Sequence, residues 1–275
     1  MGEYEKFINE LELPPTQSDE PSVYAFSLHK SGSTLLYNML AELAPYVGQP
    51  YFSIQDQFFS NGIPINQEIA GMERLFNPKG YLYGGFRFFP KHYKIPDLNR
   101  HKKILLIRNP LDVMVSMYFS RKSSHIIPDK GKLKTRWLKM RKEALELSID
   151  EFVRKKNQIY LNKLLSYKNM LNQENLLIFR YEDIIYSKKD FLLDILNFYG
   201  WDVDSDIVAN IADKYDVFPE EEDKTGHIRQ VHPNNYKKHL SKETQQFLEE
   251  KFEQILLAFG YKINAQNIYN NLKNY

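Results

Sequence analysis

The sequence predicts an α/β fold of three layers, in which helices cover both faces of a central, mostly parallel sheet. Three short runs have the length and the apolar content of strands buried on both faces: Val23–Leu28, Lys103–Ile107 and Leu176–Phe179. A polar turn follows each run and leads into a segment with apolar residues at helical spacing. Strands that alternate with helices form parallel sheets, and ligands bind at the carboxyl ends of such strands.

The composition limits the class of protein. The 275 residues carry 37 Lys and Arg against 35 Asp and Glu, and a net charge of +2 is too small to indicate a nucleic-acid partner. The absence of cysteine excludes disulfides, thiolate metal sites and cysteine catalysis. Residues 1–20 are acidic and polar, without a signal-peptide core, and no apolar run has the length of a membrane span. We therefore expect a cytoplasmic protein that does not enter membranes.

The turn after the first strand has the composition of an anion site. Lys30-Ser31-Gly32-Ser33-Thr34 offers a cation, a glycine, three hydroxyls and the free N–H groups of a helix start. An ATP-binding P-loop would have glycines six and one residues before its lysine, where this chain has Tyr24 and His29. The residues thus indicate a P-loop-like site for a phosphate-type ligand. An ordinary turn with a solvated lysine is the alternative.

The remaining elements follow in order. The first long helix should stop near Pro45 and Gly48, residues 49–80 look irregular, and a second strand is predicted near Tyr81–Phe88. Arg108 follows the buried strand at Lys103–Ile107, and Pro110 suits the first position of the next helix.

The second half of the chain is mainly helical by the same criteria. Residues 121–142 are strongly basic, which indicates either a solvated face or a lid over an anionic ligand. Ser148 and Glu151 form a capping box, Gly200 ends a helix, and a last helix should run from about Ser241 to Gly260. We expect a single domain over residues 1–275, with a helix and linker at 1–20 and a core at 22–260.

Four separated segments resemble the sulfotransferases that use 3′-phosphoadenosine 5′-phosphosulfate (PAPS). Lys30–Thr34 resembles their 5′-phosphosulfate loop, and Arg108-Asn109-Pro110 with Ser116 resembles their 3′-phosphate element. Tyr181-Glu182-Asp183 resembles the segment that contacts the adenine. His227-Ile228-Arg229, with Tyr236-Lys237 downstream, is a loose copy of the family's late Arg-Lys-Gly loop. The resemblance covers about residues 22–260.

The resemblance implies PAPS as the co-substrate, 3′-phosphoadenosine 5′-phosphate (PAP) as a product, and no metal ion. It assigns to Lys30 the role of neutralising the bridging oxygen as it leaves. Arg108, Ser116 and Arg229 are expected to hold the 3′-phosphate. The full set of expected cofactor contacts is Lys30, Ser31, Gly32, Ser33, Thr34, Leu35, Arg108, Ser116, Tyr181, Phe218, His227, Ile228 and Arg229.

The catalytic base is less defined. Family members that act on phenols and steroids use a histidine about twenty-two residues before the Arg-Asn-Pro turn, and Phe86 stands at that place here. The tryptophan that usually follows the phosphosulfate loop is Leu35. Both departures are closer to bacterial and carbohydrate-type members, whose base is a carboxylate just after the first helix. Asp56 is the candidate in that position, and Glu68, His125 and His232 are the alternatives.

The acceptor is expected to be a small molecule. Aromatic residues in 49–100 suit a partly apolar or cationic compound, bound by this segment and by 121–142. The short chain and its Lys-, Asn- and Ile-rich composition are similar to those of bacterial, in particular cyanobacterial, natural-product tailoring enzymes. Enzymes that sulfate saxitoxin-type guanidinium toxins are an example. The family includes monomers and dimers, so a homodimer stays open. A catalytically silent PAPS- or PAP-binding protein is the alternative, and a P-loop kinase is disfavoured by the missing glycines.

Overall fold

A computed structural model describes residues 3–124, 127–128, 131–168, 170, 174–219 and 230–262. Five strands of these residues form one parallel sheet in the order β2-β3-β1-β4-β5. The strands are β1 (Val23–Ser27), β2 (Tyr51–Phe52), β3 (Leu82–Phe86), β4 (Lys103–Ile107) and β5 (Leu176–Arg180). The predicted α/β fold with a parallel central sheet is therefore confirmed.

Helices precede the first strand, lie between several of the strands and follow the last strand. They are α1 (Glu3–Glu10), α2 (Ser33–Val47), α3 (Ile54–Ser60), α4 (Pro110–Phe119), α5 (Gly131–Glu146), α6 (Ile149–Lys168), α7 (Tyr181–Ile184), α8 (Lys188–Tyr199), α9 (Ser205–Lys214), α10 (Tyr236–His239) and α11 (Lys242–Ala258). A π-helical turn, Ser120–Ser124, continues α4, and short 3₁₀ turns occur at Met72–Leu75 and Leu98–Arg100. No helix among these residues is long and apolar enough to cross a bilayer.

The two faces of the sheet are covered by different helices. Alternate residues of a strand point to opposite faces, so Tyr24 and Phe26 of β1 join one apolar cluster while Val23 and Ala25 join the other. The first cluster includes α4, α6 and α11, and the second includes α2, α8 and α9. Burying a side chain such as Phe26 contributes about 1.5–3 kcal/mol. Burial on both faces explains why the strands contain almost no charged residue.

The segment predicted to be irregular, residues 49–80, is more ordered than its sequence indicates. It holds β2, α3 and a 3₁₀ turn. Helix α3 begins because Ser53 accepts a hydrogen bond from the N–H of Asp56, at 3.2 Å. Strand β2 was not predicted because it has two residues, too few to show a period in the sequence. Its place in the sheet depends on pairing with β3.

Several helix ends agree with their predicted signals. Helix α2 contains Pro45 in its last turn and ends at Gly48, which has a φ of 66°. The Ser148 N–H donates to the Glu151 carboxylate at 2.8 Å, and the Ser148 hydroxyl accepts from the Glu151 N–H at 3.3 Å, so the capping box is confirmed. Gly200 ends α8, and Ser241 caps α11.

The parallel sheet brings four separate turns to one edge. The carboxyl ends of β3, β1, β4 and β5 lie side by side in that order. They lead respectively into Arg87, the loop at Lys30, Arg108 and Tyr181. Residues far apart in the sequence therefore meet at this edge, which is where open parallel sheets bind ligands.

Candidate active site

The loop after β1 presents unpaired donors at a helix start. Lys30 and Gly32 both have left-handed backbone, with φ of 66° and 86°. Gly32 precedes α2, and no side chain caps this helix. The first N–H groups of a helix have no partner within it, and the helix dipole adds positive potential there. Ser31 is fully buried, and its hydroxyl has no hydrogen-bond partner within the described part of the chain.

The side chain of Lys30 reaches the end of another helix. Its Nζ donates to Ser120 Oγ at 3.0 Å, where α4 passes into the π-helical turn. Sequence reasoning missed Ser120, because no motif marks a serine twelve residues after Arg108 as a partner of the loop. The contact fixes the ammonium group of Lys30 between the β1 loop and α4.

Arg108 is buried beside an aromatic ring. Its Cζ lies 4.3 Å from the centroid of the Tyr181 ring, which is a close cation–π contact. Its Nη2 is 3.9 Å from Asp112 Oδ2, one helical turn along. Arg108 Nε is buried and has no hydrogen-bond partner among the residues described. Tyr160, on α6, lies beside Arg108 and Ser31, and burial raises the pKa of its hydroxyl.

Tyr181 and Glu182 connect the turns of neighbouring strands. The Tyr181 hydroxyl donates to the carbonyl of Val231 at 2.9 Å, and burial raises the pKa of Tyr181 to about 12. Glu182 accepts from the N–H of Asn109 and from the hydroxyl of Tyr261, each at 2.8 Å. The Tyr-Glu-Asp motif therefore positions the Arg108 turn as well as offering an aromatic ring.

Asp112 has a positioning role that sequence reasoning missed. It is 1% exposed and accepts hydrogen bonds from the N–H groups of Asn234 and Tyr236, at 2.7 and 2.9 Å. The same carboxylate faces Arg108. It thus holds the segment after residues 220–229 against the start of α4. The sequence showed only an acid in the first turn of a helix.

The other predicted cofactor residues are distributed around this loop and helix. Ser33 is buried, Thr34 is exposed, and Leu35 and Ser116 are half-buried. Phe218 stacks on Tyr186 and His232, with ring centroids 5.6 and 6.2 Å away. The predicted contacts His227, Ile228 and Arg229 lie outside the described residues.

Comparison with known proteins assigns the family. A model of the sulfotransferase domain matches residues 20–260. This chain belongs to the sulfotransferase family. Its fold is similar to that of mouse sulfotransferase SULT7A1 complexed with PAP, with a TM-score of 0.58, 15% identity, and coverage of 98% of this chain and 94% of that chain. It is also similar to retinol dehydratase in a complex with retinol and PAP, with a TM-score of 0.51, 15% identity, and coverage of 95% and 88%. No curated protein sequence matches.

The candidate bases of this sulfotransferase lie in different surroundings. Asp56 forms an ion pair with Arg87 and accepts from Ser53 Oγ at 2.8 Å, at the carboxyl end of β3. His232 Nδ1 lies 2.7 Å from the Tyr186 hydroxyl, on the Tyr181 side of the sheet edge. Glu68 is exposed.

Two further positions complete the set of base predictions. His125 lies outside the described residues. Phe86, at the place of the family's histidine, is 1% exposed and stacks on Phe26 with a centroid distance of 4.6 Å. Asp56 is therefore the candidate on the β3 side of the Lys30 loop, and its partner Arg87 was not predicted to pair with it.

Proposed function

We propose that this protein transfers the sulfuryl group of PAPS to a hydroxyl group, or to an amine or carbamoyl nitrogen, of a small molecule. One observation carries the proposal: among the described residues, buried donors without partners belong to the two turns that contact Tyr181. Arg108 Nε belongs to the turn after β4, whose guanidinium lies over the Tyr181 ring. Ser31 Oγ and the uncapped start of α2 belong to the loop after β1, where Gly32 faces the edge of that ring. A ligand with two separate anionic groups would satisfy both.

The residues fit PAPS by their chemistry. Arg108 offers a planar guanidinium suited to a phosphate, and Ser116 lies two turns into the helix that follows it. The α2 start offers N–H groups and hydroxyls to a 5′-phosphosulfate. A Cβ at Gly32 would lie 2.7 Å from Tyr181 Cδ2, so glycine is required for the loop to pass this ring. Mouse SULT7A1 and retinol dehydratase are both described as bound to PAP.

PAPS supplies the sulfuryl group: the bond from sulfur to the phosphate oxygen breaks as a bond from sulfur to the acceptor forms, and the acceptor loses a proton. Lys30 carries the charge that stabilises the leaving oxygen, because transfers of this kind place negative charge there. The Lys30 ammonium donates a hydrogen bond to Ser120 Oγ. Arg108 and the α2 start bind and orient the donor.

Asp56 is our candidate for the group that accepts the proton. Its carboxylate already contacts Arg87 and Ser53, so it is held in one orientation. The same pairing favours the second candidate function, a catalytically silent PAP- or PAPS-binding protein, because a carboxylate that already contacts Arg87 and Ser53 is less available to the proton of an acceptor. A base must also reach the acceptor proton.

The test has a binding arm and a turnover arm. Isothermal titration should give PAP binding, and Arg108→Ala should weaken it at least tenfold, the equivalent of about 1.4 kcal/mol, because a charge-assisted bond to a phosphate is lost. Arg100→Ala, at an exposed arginine outside the site, is the matched control. A structure with PAP in which the 3′-phosphate lies away from Arg108 and Ser116 would refute the proposal. PAP binding without PAPS turnover by any acceptor would favour the silent binder.

The acceptor, the cellular location and the oligomeric state are proposed from the sequence. A role in natural-product or toxin tailoring, with a saxitoxin-type acceptor, rests on the sequence format alone. Cytoplasmic location, the single domain and a homodimer likewise stay predictions. Retinol dehydratase, which is described with retinol, supports a small molecule as the acceptor.

A further inference from the structure

Four cations from separate elements converge near the end of α4. We call them the basic cluster: Lys91, Arg121, Arg136 and Lys163. Lys163 on α6 lies within electrostatic range of the other three. Helix α5 packs against the π-helical turn that carries Arg121, and α6 packs against α4. The cluster is therefore formed by the tertiary structure and is not a run along one helix.

The basic cluster is not neutralised by direct ion pairs within the described residues. None of its four members forms an ion pair there, whereas the nearby lysines Lys142, Lys155 and Lys156 each pair with a glutamate. Glu143 is the acid that acts on Arg121, but its carboxylate is bound by Lys155 and Lys156 at 2.9 and 2.7 Å.

Partial burial makes the charges of two members of the basic cluster unfavourable, whereas Lys91 and Arg136 are exposed. Lys163 and Arg121 are half-buried, and the Arg121 guanidinium is fixed 5.4 Å from the centroid of the Phe152 ring. Burial and the three neighbouring cations lower the pKa of Lys163 to about 8. Cations are favourable at a helix C-terminus, which accounts for Arg121 but not for Lys91. Like charges held together in this way are typical of a site for an anion.

The position of the cluster separates it from the proposed PAPS site. Arg108 precedes α4, whereas Arg121 follows it, and a helix of ten residues spans about 15 Å. Lys30 reaches Ser120, the residue directly before Arg121. The Lys30 ammonium therefore contacts the end of α4 from which Arg121 of the basic cluster continues, and in the proposed reaction the sulfuryl group would be transferred beside this ammonium.

We propose that the basic cluster binds an anionic group of the acceptor, a carboxylate, sulfate or phosphate. This inference rests on the proposed sulfotransferase function. Arg121 and Arg136 offer guanidinium forks, and Lys163 adds a charge at the centre. A guanidinium acceptor would be repelled by the same four charges, so the inference opposes the saxitoxin-type acceptor that the sequence format suggests.

The experiment uses the full chain saturated with PAP and three phenols of one shape. They are 4-hydroxyphenylacetate, its neutral amide and the cationic amine tyramine. Isothermal titration should give the tightest binding for the carboxylate, by about tenfold over the amide, because a charge-assisted contact is lost with the charge. Tyramine should bind more weakly than the amide. Equal binding of the three, binding by none, or a preference for tyramine would overturn the inference.

Matched variants test the residues themselves. Arg136→Gln changes an exposed member of the cluster and should remove most of the carboxylate preference without affecting folding. Lys163→Gln should do the same, with its fold checked by circular dichroism. Lys139→Gln removes an exposed charge from the same helix as Arg136 and should keep the preference. An unchanged preference for the carboxylate in both Arg136→Gln and Lys163→Gln would refute the assignment of the basic cluster. A wild-type chain that does not bind PAP would instead refute the proposed function.

Discussion

Replacing Gly32 by alanine should strain the loop after β1 and weaken PAP binding. The new Cβ would lie 2.7 Å from Tyr181 Cδ2, 3.1 Å from Tyr181 Cε2 and 3.3 Å from Leu106 Cδ2. The Tyr181 ring has no room to move. It is 5% exposed, its hydroxyl donates a hydrogen bond to the Val231 carbonyl, and the Arg108 guanidinium lies against its face. The substitution therefore strains the loop and displaces the residues proposed to hold PAPS.

The loss of stability has two parts. Alanine in the left-handed region costs about 1–2 kcal/mol. Crowding a packed site adds about 1–3 kcal/mol. We expect the free energy of unfolding of Gly32→Ala to fall by about 2–5 kcal/mol, measured by urea unfolding. PAP affinity, measured by titration on the folded fraction, should fall at least tenfold, the equivalent of about 1.4 kcal/mol.

Gly48→Ala is the control for backbone strain alone. Gly48 has a φ of 66° at the end of α2, and a Cβ there would meet nothing within 4 Å. The free energy of unfolding of Gly48→Ala should fall only by the backbone contribution, about 1–2 kcal/mol, and its PAP affinity should not change. Equal destabilisation of the two variants, with PAP binding intact in both, would refute the close packing of Gly32 against Tyr181.

Three further predictions concern charged residues. Lys30→Ala should lower PAPS turnover by about 10²–10³ while PAP affinity changes less than tenfold, because its charge acts on the leaving oxygen; unchanged turnover would remove Lys30 from the mechanism. Asp112→Asn should lower the free energy of unfolding by about 2–5 kcal/mol in the same urea assay, because two buried N–H groups lose their carboxylate acceptor. The control is Asp183→Asn, which changes a surface ion pair and should lower it by less than about 1 kcal/mol. The pKa of Lys163, about 8, is below the ~10.4 of an unfolded lysine, so the unfolded chain binds more protons between these values. The free energy of unfolding should therefore rise between about pH 8 and about pH 10.4, and an equal rise in a Lys163→Met variant would contradict this.

The fold could be predicted because its signals are local. Strands β1, β4 and β5 are runs of apolar residues, and caps such as Ser148 and Gly200 act within one turn of their helix. Strand β2 was missed because it has two residues and depends on pairing with β3, about thirty residues further along the chain. Helix α3 was missed although its cap, Ser53, is local, because its seven residues are too few to show a clear helical period.

Sequence alone predicts the parallel sheet without its two-residue strand β2, the anion-binding loop at Lys30, the Arg108 turn and the family to which they point. Each depends on residue types at fixed spacing, and a single chain displays spacing directly. The tertiary structure was needed to show that Ser120 contacts Lys30, that Asp112 holds the segment at 234–236, that Arg87 pairs with Asp56, and that three further cations lie near Lys163. These contacts join residues that the parallel crossovers bring to one edge, and no period in the sequence encodes which side chains meet there.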